Sequence, residues 1–352
     1  MSIKLSFAKV VLSYVFEGSG LKKKAYIIGM GSYLPERVLT NQDLEKMVET
    51  SDEWIVSRTG MRERRLARED EFTSDMGLAA AKKALKSAGK MASEIDVIIV
   101  TTLTPDYLFP STAALIQCAL GAQQAAAFDV QAACTGFLYG LSIAKGYIES
   151  GMYKNVLVIA SEKLSSIVNY RDRGTCVLFG DGAAACVVSG EAKGYLIKEI
   201  CLGADGELAE FLMLPAGGCR RPASHETVEQ GLHYISMSGK EVFKHAVRRM
   251  ENAAKECLEK ASMKEEEIDW LVPHQANERI IDALAKRFGI AEEKVFKTVA
   301  KYGNTSASSL PIALDELICE REIKPGENMM LLAFGAGFAW GASILTKSEG
   351  GL

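Results

Sequence analysis

The chain has 352 residues, 48% hydrophobic and 24% charged, enough to bury a large core in one or two domains. A net charge of −4 and an isoelectric point near 5.8 give no support to nucleic-acid binding. Eight cysteines without CxxC pairs, several inside apolar runs, argue against a disulfide framework or a zinc site and point to a reducing cytoplasm.

Residues 1–24 read as an extension outside the main fold. MSIKLSFAKVVLSYVF interrupts its apolar stretch with Lys4 and Lys9, lacks the cleavage site of a signal peptide, and runs into the polar GSGLKKK. No segment offers about 18 uninterrupted apolar residues, so no stable membrane insertion is expected. IDVIIVTT (95–102) reads as a buried strand and STAALIQCALG (111–121) as a helix. AAFDVQAACTGF (126–137) reads as a strand running into a helix, with Phe137, Leu138, Leu141 and Ile143 at roughly helical spacing. NVLVIASE (155–162) is another strand, and FGDGAAACVV (179–188) reads as strand–turn–strand.

The second half repeats this order. IDWLVPHQ (268–275) matches 95–102, ERIIDALAKRFG (278–289) matches the first helix, and KVFKTVAKYGNTSASS (294–309) aligns Phe296 with Phe128. NMMLLAFG (328–335) matches 155–162 and leads into FGAGFAWGASIL (334–345), again strand–turn–strand. Strands alternating with helices imply α/β units with largely buried, parallel-type sheets, and the duplication implies two similar halves packed face to face.

Ligands of open α/β sheets gather beyond the carboxyl ends of strands. Cys134, His274 and Asn304 all fall at such ends. Each alone has an ordinary reading: a small buried hydrophobe, a strand-end histidine, a turn or helix-cap asparagine. Their equivalent placement favours a nucleophile site, with Cys134 expected to be a thiolate because a helix N-terminus stabilises negative charge. Amides at Gly335 and Ala336, with that of Cys134, are candidate oxyanion donors. His225 and His233 lie in a loop-like stretch and His245 on a probable helix. None has metal-ligand spacing, so no metal is expected. There is no GxxxxGK[ST] and no strand-linked GxGxxG, which disfavours nucleotide binding.

From about Ala25 onward the chain resembles the β-ketoacyl-acyl carrier protein synthase III family of the thiolase-like superfamily. The carriers are TNQDLEKMVETSDEWIVSRTGMRERR (40–65), AACTGF (132–137), RDRGT (171–175), FGDGAAA (179–185), MSGKEVFKHAV (237–247), WLVPHQANERII (270–281), KYGNTSASSLPIALDE (301–316) and FGAGFAWG (334–341), in the family's order. The resemblance implies an α/β fold of two pseudo-symmetric halves, 25–195 and 196–352, in a five-layered α-β-α-β-α core. It implies an acyltransferase that loads Cys134 from acyl-CoA and then condenses it, with decarboxylation, with malonyl-acyl carrier protein. His274 and Asn304 would support the decarboxylation. Trp54, Arg58, Thr59, Arg173, Gly174, Gly239, Phe243, Ala276 and Asn277 match coenzyme A-binding positions. Gln275 would help complete the site.

Phe109 and Phe334 match the acyl pocket, Phe109 by reaching into a partner's pocket in a homodimer. Leu103, Ala132, Leu164 and Leu232 suggest further lining without deciding between acetyl and branched primers. No metal or redox cofactor is implied, acyl-CoA being a substrate. Acyl carrier protein is acidic, and Lys244, Arg248, Arg249, Arg279, Lys286 and Arg287 form a candidate docking face. The alternatives are a related Cys-His-Asn condensing enzyme of polyketide or quinolone-type metabolism, and a non-catalytic CoA-binding scaffold. The second has no use for an intact Cys134, His274 and Asn304.

Overall fold

The computed structural model describes residues 23–350, so the extension expected over 1–24 lies almost wholly outside the described residues. Nine strands form one hydrogen-bonded sheet: Tyr26–Tyr33 (β1), Val97–Thr101 (β2), Ala126–Val130 (β3), Asn155–Lys163 (β4), Asp181–Ser189 (β5), Tyr195–Gly203 (β6), Trp270–Pro273 (β7), Asn328–Gly335 (β8) and Ala339–Lys347 (β9). Their order is β7-β8-β9-β6-β1-β5-β4-β2-β3. The longer helices are Asp52–Thr59 (α1), Thr73–Ala88 (α2), Thr112–Leu120 (α3), Gly136–Ser150 (α4), Gly239–Ala261 (α5), Glu278–Arg287 (α6) and Ser309–Glu320 (α7).

The internal repeat appears in the hydrogen bonding. β2 pairs in parallel with β3 and β4, β4 antiparallel with β5, and β5 antiparallel with β1. In the second half β7 pairs in parallel with β8, β8 antiparallel with β9, and β9 antiparallel with β6, while a parallel bridge from Leu271 to Val295 stands where β3 pairs with β2. The matched residues make matched bonds. Asp96 Oδ2 accepts the amide of Asn155 at 2.9 Å, and Asp269 Oδ2 accepts the amide of Asn328 at 2.8 Å. The two asparagine side chains reach back to the carbonyls of Glu94 and Glu267.

The sheet is mixed rather than largely parallel. Helical crossovers make the parallel pairs, and the turn over Ala336–Phe338 makes the antiparallel β8–β9 pair. FGDGAAACVV is also not strand–turn–strand: β5 runs unbroken from Asp181, and Gly180 precedes it beneath Tyr302, whose carbonyl would lie 2.5 Å from any Cβ.

β1 and β6 join the halves through only two residue pairs. Helices α4 and α7 each pack on strands of both halves and so form a central layer, with α2 and α3 outside one half and α5 and α6 outside the other. This is the five-layered α-β-α-β-α arrangement. Strands β2, β4, β5 and β8 are buried on both faces except at their ends, which is why they read as continuous apolar runs. Close packing demands glycine at Gly29 on β1, where a Cβ would meet the Ala88 amide nitrogen at 2.3 Å. No helix among the described residues is long and apolar enough to cross a membrane.

Asp96 holds two amides, those of Lys154 and Asn155, whereas Asp269 holds one. Asp96→Ala should therefore lower stability by about 2 kcal/mol and Asp269→Ala by about 1 kcal/mol, measured by urea denaturation. Equal losses would mean that the second amide bond contributes nothing.

Candidate active site

The site lies where the repeat brings two helix starts together. α4 is entered through a tight turn at Ala133–Thr135 and α7 through one at Ser306–Ser308. Ala133 and Ser306 hold equivalent left-handed backbone angles, φ 44° and 52°. Such angles are unfavourable for residues with a Cβ and persist only where surrounding structure enforces them. The turns touch: a Cβ on Gly136 would sit 3.2 Å from that of Ala307. The structural counterpart of Cys134 is thus Ala307, and Asn304 belongs to an extra turn of the second half, behind the short helix Val299–Tyr302.

Each reactive group is held by backbone. Asn304 donates its amide to the Leu178 carbonyl at 2.8 Å and accepts from Gly180 at 3.0 Å. Its side-chain Oδ1 accepts the Ser306 amide at 2.8 Å, which leaves Nδ2 as the group free to donate into the site. His274 extends β7 by donating its amide to the Leu332 carbonyl at 2.7 Å. Its Nδ1 meets the Ser309 hydroxyl at 2.5 Å, and that oxygen also accepts the Gln275 amide at 3.4 Å. With the Ser309 hydroxyl donating to Nδ1, the neutral ring carries its proton on Nε2. Gln275 itself is fully buried and bonds to the backbone of Pro273, Phe296, Thr298 and Val299, so it braces the wall.

The electrostatics are those of a dry site. Burial pushes the Cys134 thiol up to about 12, against smaller opposing effects of the Ser306 hydroxyl and its own amide. Burial thus opposes the resting thiolate expected from the helix start, and a thiol kept protonated by it must lose its proton during reaction. Burial also holds His274 down to about 4, so it is neutral at physiological pH. His274 Nε2 and Asn304 Nδ2 form a pair of neutral donors able to stabilise a developing oxyanion without neutralising it beforehand.

Cys134, His274 and Asn304 line one narrow cavity of about 150 Å³ together with Gly239, Phe243, Ala276, Asn277, Phe334 and Gly335. Gly335 must be glycine because a Cβ there would lie 2.7 Å from the Cys134 nitrogen. Cys134 also borders a second, larger apolar cavity of about 510 Å³, lined by Leu103, Ala132, Leu164, Ile167, Leu212, Ser306 and Ala336 among others. Leu232 does not line it, and Phe334 stands on the narrow cavity's wall, edge-on to Phe338. Phe109 is 86% exposed at a protruding tip beside Leu108 and lies in neither cavity of its own chain.

Outside the cavities, Arg173 stacks over Trp54 at 4.8 Å, and Asn277 Nδ2 donates to the Arg58 carbonyl, linking α1 to the narrow cavity. Gly174 is exposed, its amide held by Asp172. The Thr59 hydroxyl is taken up inside its own helix end, by the Ile55 carbonyl and the Met61 amide. Lys244, Arg248, Arg279, Lys286 and Arg287 are exposed on α5 and α6; Arg279 lies 5.5 Å above Phe243 at the cavity rim, and Arg287 pairs with Glu251. Arg249 turns inward to Asp205 and Trp340, so it leaves that face. Residues the sequence reading passed over are Ser306, Ser309 and Glu162. The signal for the serines was in GNTSASS, two and five positions after Asn304.

Two family models match: 3-oxoacyl-[acyl-carrier-protein] synthase III over residues 128–206 and its C-terminal counterpart over 258–347. The chain is 61% identical to the β-ketoacyl-[acyl-carrier-protein] synthase III of Chlamydia caviae over 93% of its length and 98% of the relative's. It is 54% identical to that of Caldanaerobacter subterraneus over 93% and 99%. The crystal structure of the Aquifex aeolicus synthase III superposes with a TM-score of 0.84 at 51% identity, covering 92% of this chain and 99% of that one. The priming β-ketosynthase of the R1128 polyketide pathway superposes with a TM-score of 0.85 at 36% identity, covering 94% and 99%.

The ring of His274 should give NMR signals of the neutral, Nε2-protonated tautomer at pH 7, unchanged on acidification to pH 5 because its pKa lies near 4. Ser309→Ala should abolish that tautomer preference. A ring that titrates near 6.5 would overturn the buried-neutral assignment.

Proposed function

Since this chain belongs to the β-ketoacyl-[acyl-carrier-protein] synthase III family and is therefore the acyltransferase of the initiating condensation in fatty-acid synthesis, we propose that Cys134, His274 and Asn304 divide the reaction between them. The observation that supports this is the meeting of all three on one narrow cavity, with a nucleophile and two neutral donors. Acyl-CoA enters along the wall carrying Phe243, Ala276 and Asn277, with Trp54, Arg58 and Arg173 at its outer end for the nucleotide. The Cys134 sulfur attacks the thioester carbonyl carbon, amides of Cys134 and of the Gly335–Ala336 turn hold the oxyanion, and CoA departs.

The acyl chain then occupies the larger apolar cavity. Malonyl-acyl carrier protein follows into the vacated channel. Loss of CO2 places negative charge on its thioester oxygen, where His274 Nε2–H and Asn304 Nδ2–H donate. The enolate carbon attacks the acyl-Cys134 carbonyl, the carbon–sulfur bond breaks, and β-ketoacyl-acyl carrier protein leaves. No step calls on a metal or redox cofactor.

The polyketide alternative is not favoured, since the fatty-acid relatives stand at 61% identity and the polyketide priming enzyme at 36%. The exposed Phe109 tip suits a homodimer in which it closes the partner's larger cavity. Arg279, above Phe243 at the rim, suits a docking contact with the acidic carrier protein.

Intact-protein mass spectrometry with acetyl-CoA, isobutyryl-CoA and longer acyl-CoAs should show an acyl adduct that Cys134→Ser loses, and the best-loaded group ranks the primers. Loading retained in the variant would remove Cys134 as nucleophile. His274→Ala and Asn304→Ala should each slow condensation about 100-fold or more while sparing loading. Equal losses in both half-reactions would refute the division. Arg279→Glu should raise KM for malonyl-acyl carrier protein several-fold at unchanged loading, and an unchanged KM would take Arg279 off the docking face.

A further inference from the structure

Glu162, one residue before the end of β4, is matched by Gly335 in the other half, in the aligned segments NVLVIASE and NMMLLAFG. Gly335 presses against the Cys134 turn. By the same relation Glu162 faces the Ser306–Ser308 turn, which packs on β4 on one side and on the Cys134 turn on the other. Glu162 is fully buried. Its Oε2 accepts from Thr102 Oγ1 and the Leu103 amide, each at 3.1 Å, and from Thr104 Oγ1 at 2.7 Å. Its Oε1 has no partner, and neither has the buried hydroxyl of Ser306. Ser306 and Cys134 line the same cavity, and the turn that carries the hydroxyl touches both β4 and the Cys134 turn; the hydroxyl also lowers the pKa of both Cys134 and Glu162.

A buried carboxylate oxygen and a buried hydroxyl left unpaired beside a thiol that must lose a proton form an incomplete chain. We propose that Glu162, acting through the Ser306 hydroxyl, stores the Cys134 proton during acyl transfer. The thiol proton passes to Ser306 Oγ as the Ser306 proton passes to Glu162 Oε1, and the sulfur attacks the acyl-CoA carbonyl. When the tetrahedral intermediate collapses, the bond to the CoA sulfur breaks and the proton returns by the same path to that sulfur, so nothing is gained or lost overall. Three donors anchor Oε2 and leave Oε1 unpaired, and Glu162 reaches Cys134 only through Ser306, as a positioning residue acting at one remove.

Burial raises its carboxyl to about 7, so at neutral pH it can both take and release a proton. The surroundings supply no competing charge. Gly182 is opposite it on β5, Asp181 is bonded to Ser165 and Ala67, and the Lys163 ammonium points to carbonyls of residues 68, 69 and 71. His274 stays neutral to about pH 4.

The inference rests on Cys134 being the acyl acceptor. The test is the rate of Cys134 acylation by acetyl-CoA, followed by quenched-flow mass spectrometry between pH 5.5 and 9. Wild-type loading should rise through about pH 7 as Glu162 ionises. Glu162→Gln, which preserves shape but accepts no proton, should load about 100-fold more slowly at pH 7 and lose that rise. Ser306→Ala should do the same, and it decides the matter if Glu162→Gln does not fold. A variant that folds and keeps the wild-type pH profile overturns the proposal and leaves the assigned nucleophile standing. A wild-type enzyme that never loads overturns both.

Discussion

The contact on which the site depends is the crossing of two helix starts, where Gly136 of α4 comes within Cβ distance of Ala307 ahead of α7. Both helices lie in the layer between the two sheet halves, and both are entered through a turn with a left-handed residue, Ala133 in one and Ser306 in the other. A side chain on Gly136 would press against Ala307 of the other turn, and one on Gly335 at the end of β8 would displace Cys134 itself. The repeat has been used asymmetrically. One turn presents a thiol, and the other presents a small hydroxyl and a bracing amide for Asn304.

Desolvation sets the chemistry that this geometry permits. The same burial that makes the thiol reluctant to ionise keeps His274 uncharged and brings Glu162 near neutrality. A charged imidazolium would stabilise the carboxylate of a bound malonyl group before reaction, whereas neutral donors gain most as the enolate oxygen forms. A water-poor cavity therefore suits decarboxylation, at the expense of a thiol that needs help with its proton. The cost falls on loading and the benefit on condensation.

Position along the chain carried much of this plainly. The matched segments at 95–102 and 268–275 announced the duplication, because buried strands need continuous apolar runs and their acidic leaders tie equivalent amides. Cys134, His274 and Asn304 stood out because strand ends in α/β sheets are where polar residues gather for function. The Gly-rich FGAG turn was legible for the same reason that it is glycine: no Cβ fits beside Cys134.

Sequence by itself determined the repeat, the strand and helix order of its core and the identities of the reacting side chains, since these follow from periodicity and from residue chemistry read locally. Only the tertiary structure decided their states. Whether the thiol is ionised, which nitrogen of His274 carries its proton, whether Arg249 faces solvent, and that Glu162 and Ser306 are each buried with an unpaired oxygen all depend on neighbours from distant segments. A pKa or a tautomer is a property of surroundings in three dimensions. The helix start beside Cys134 is visible along the chain, but the layers that bury the thiol and raise its pKa are not.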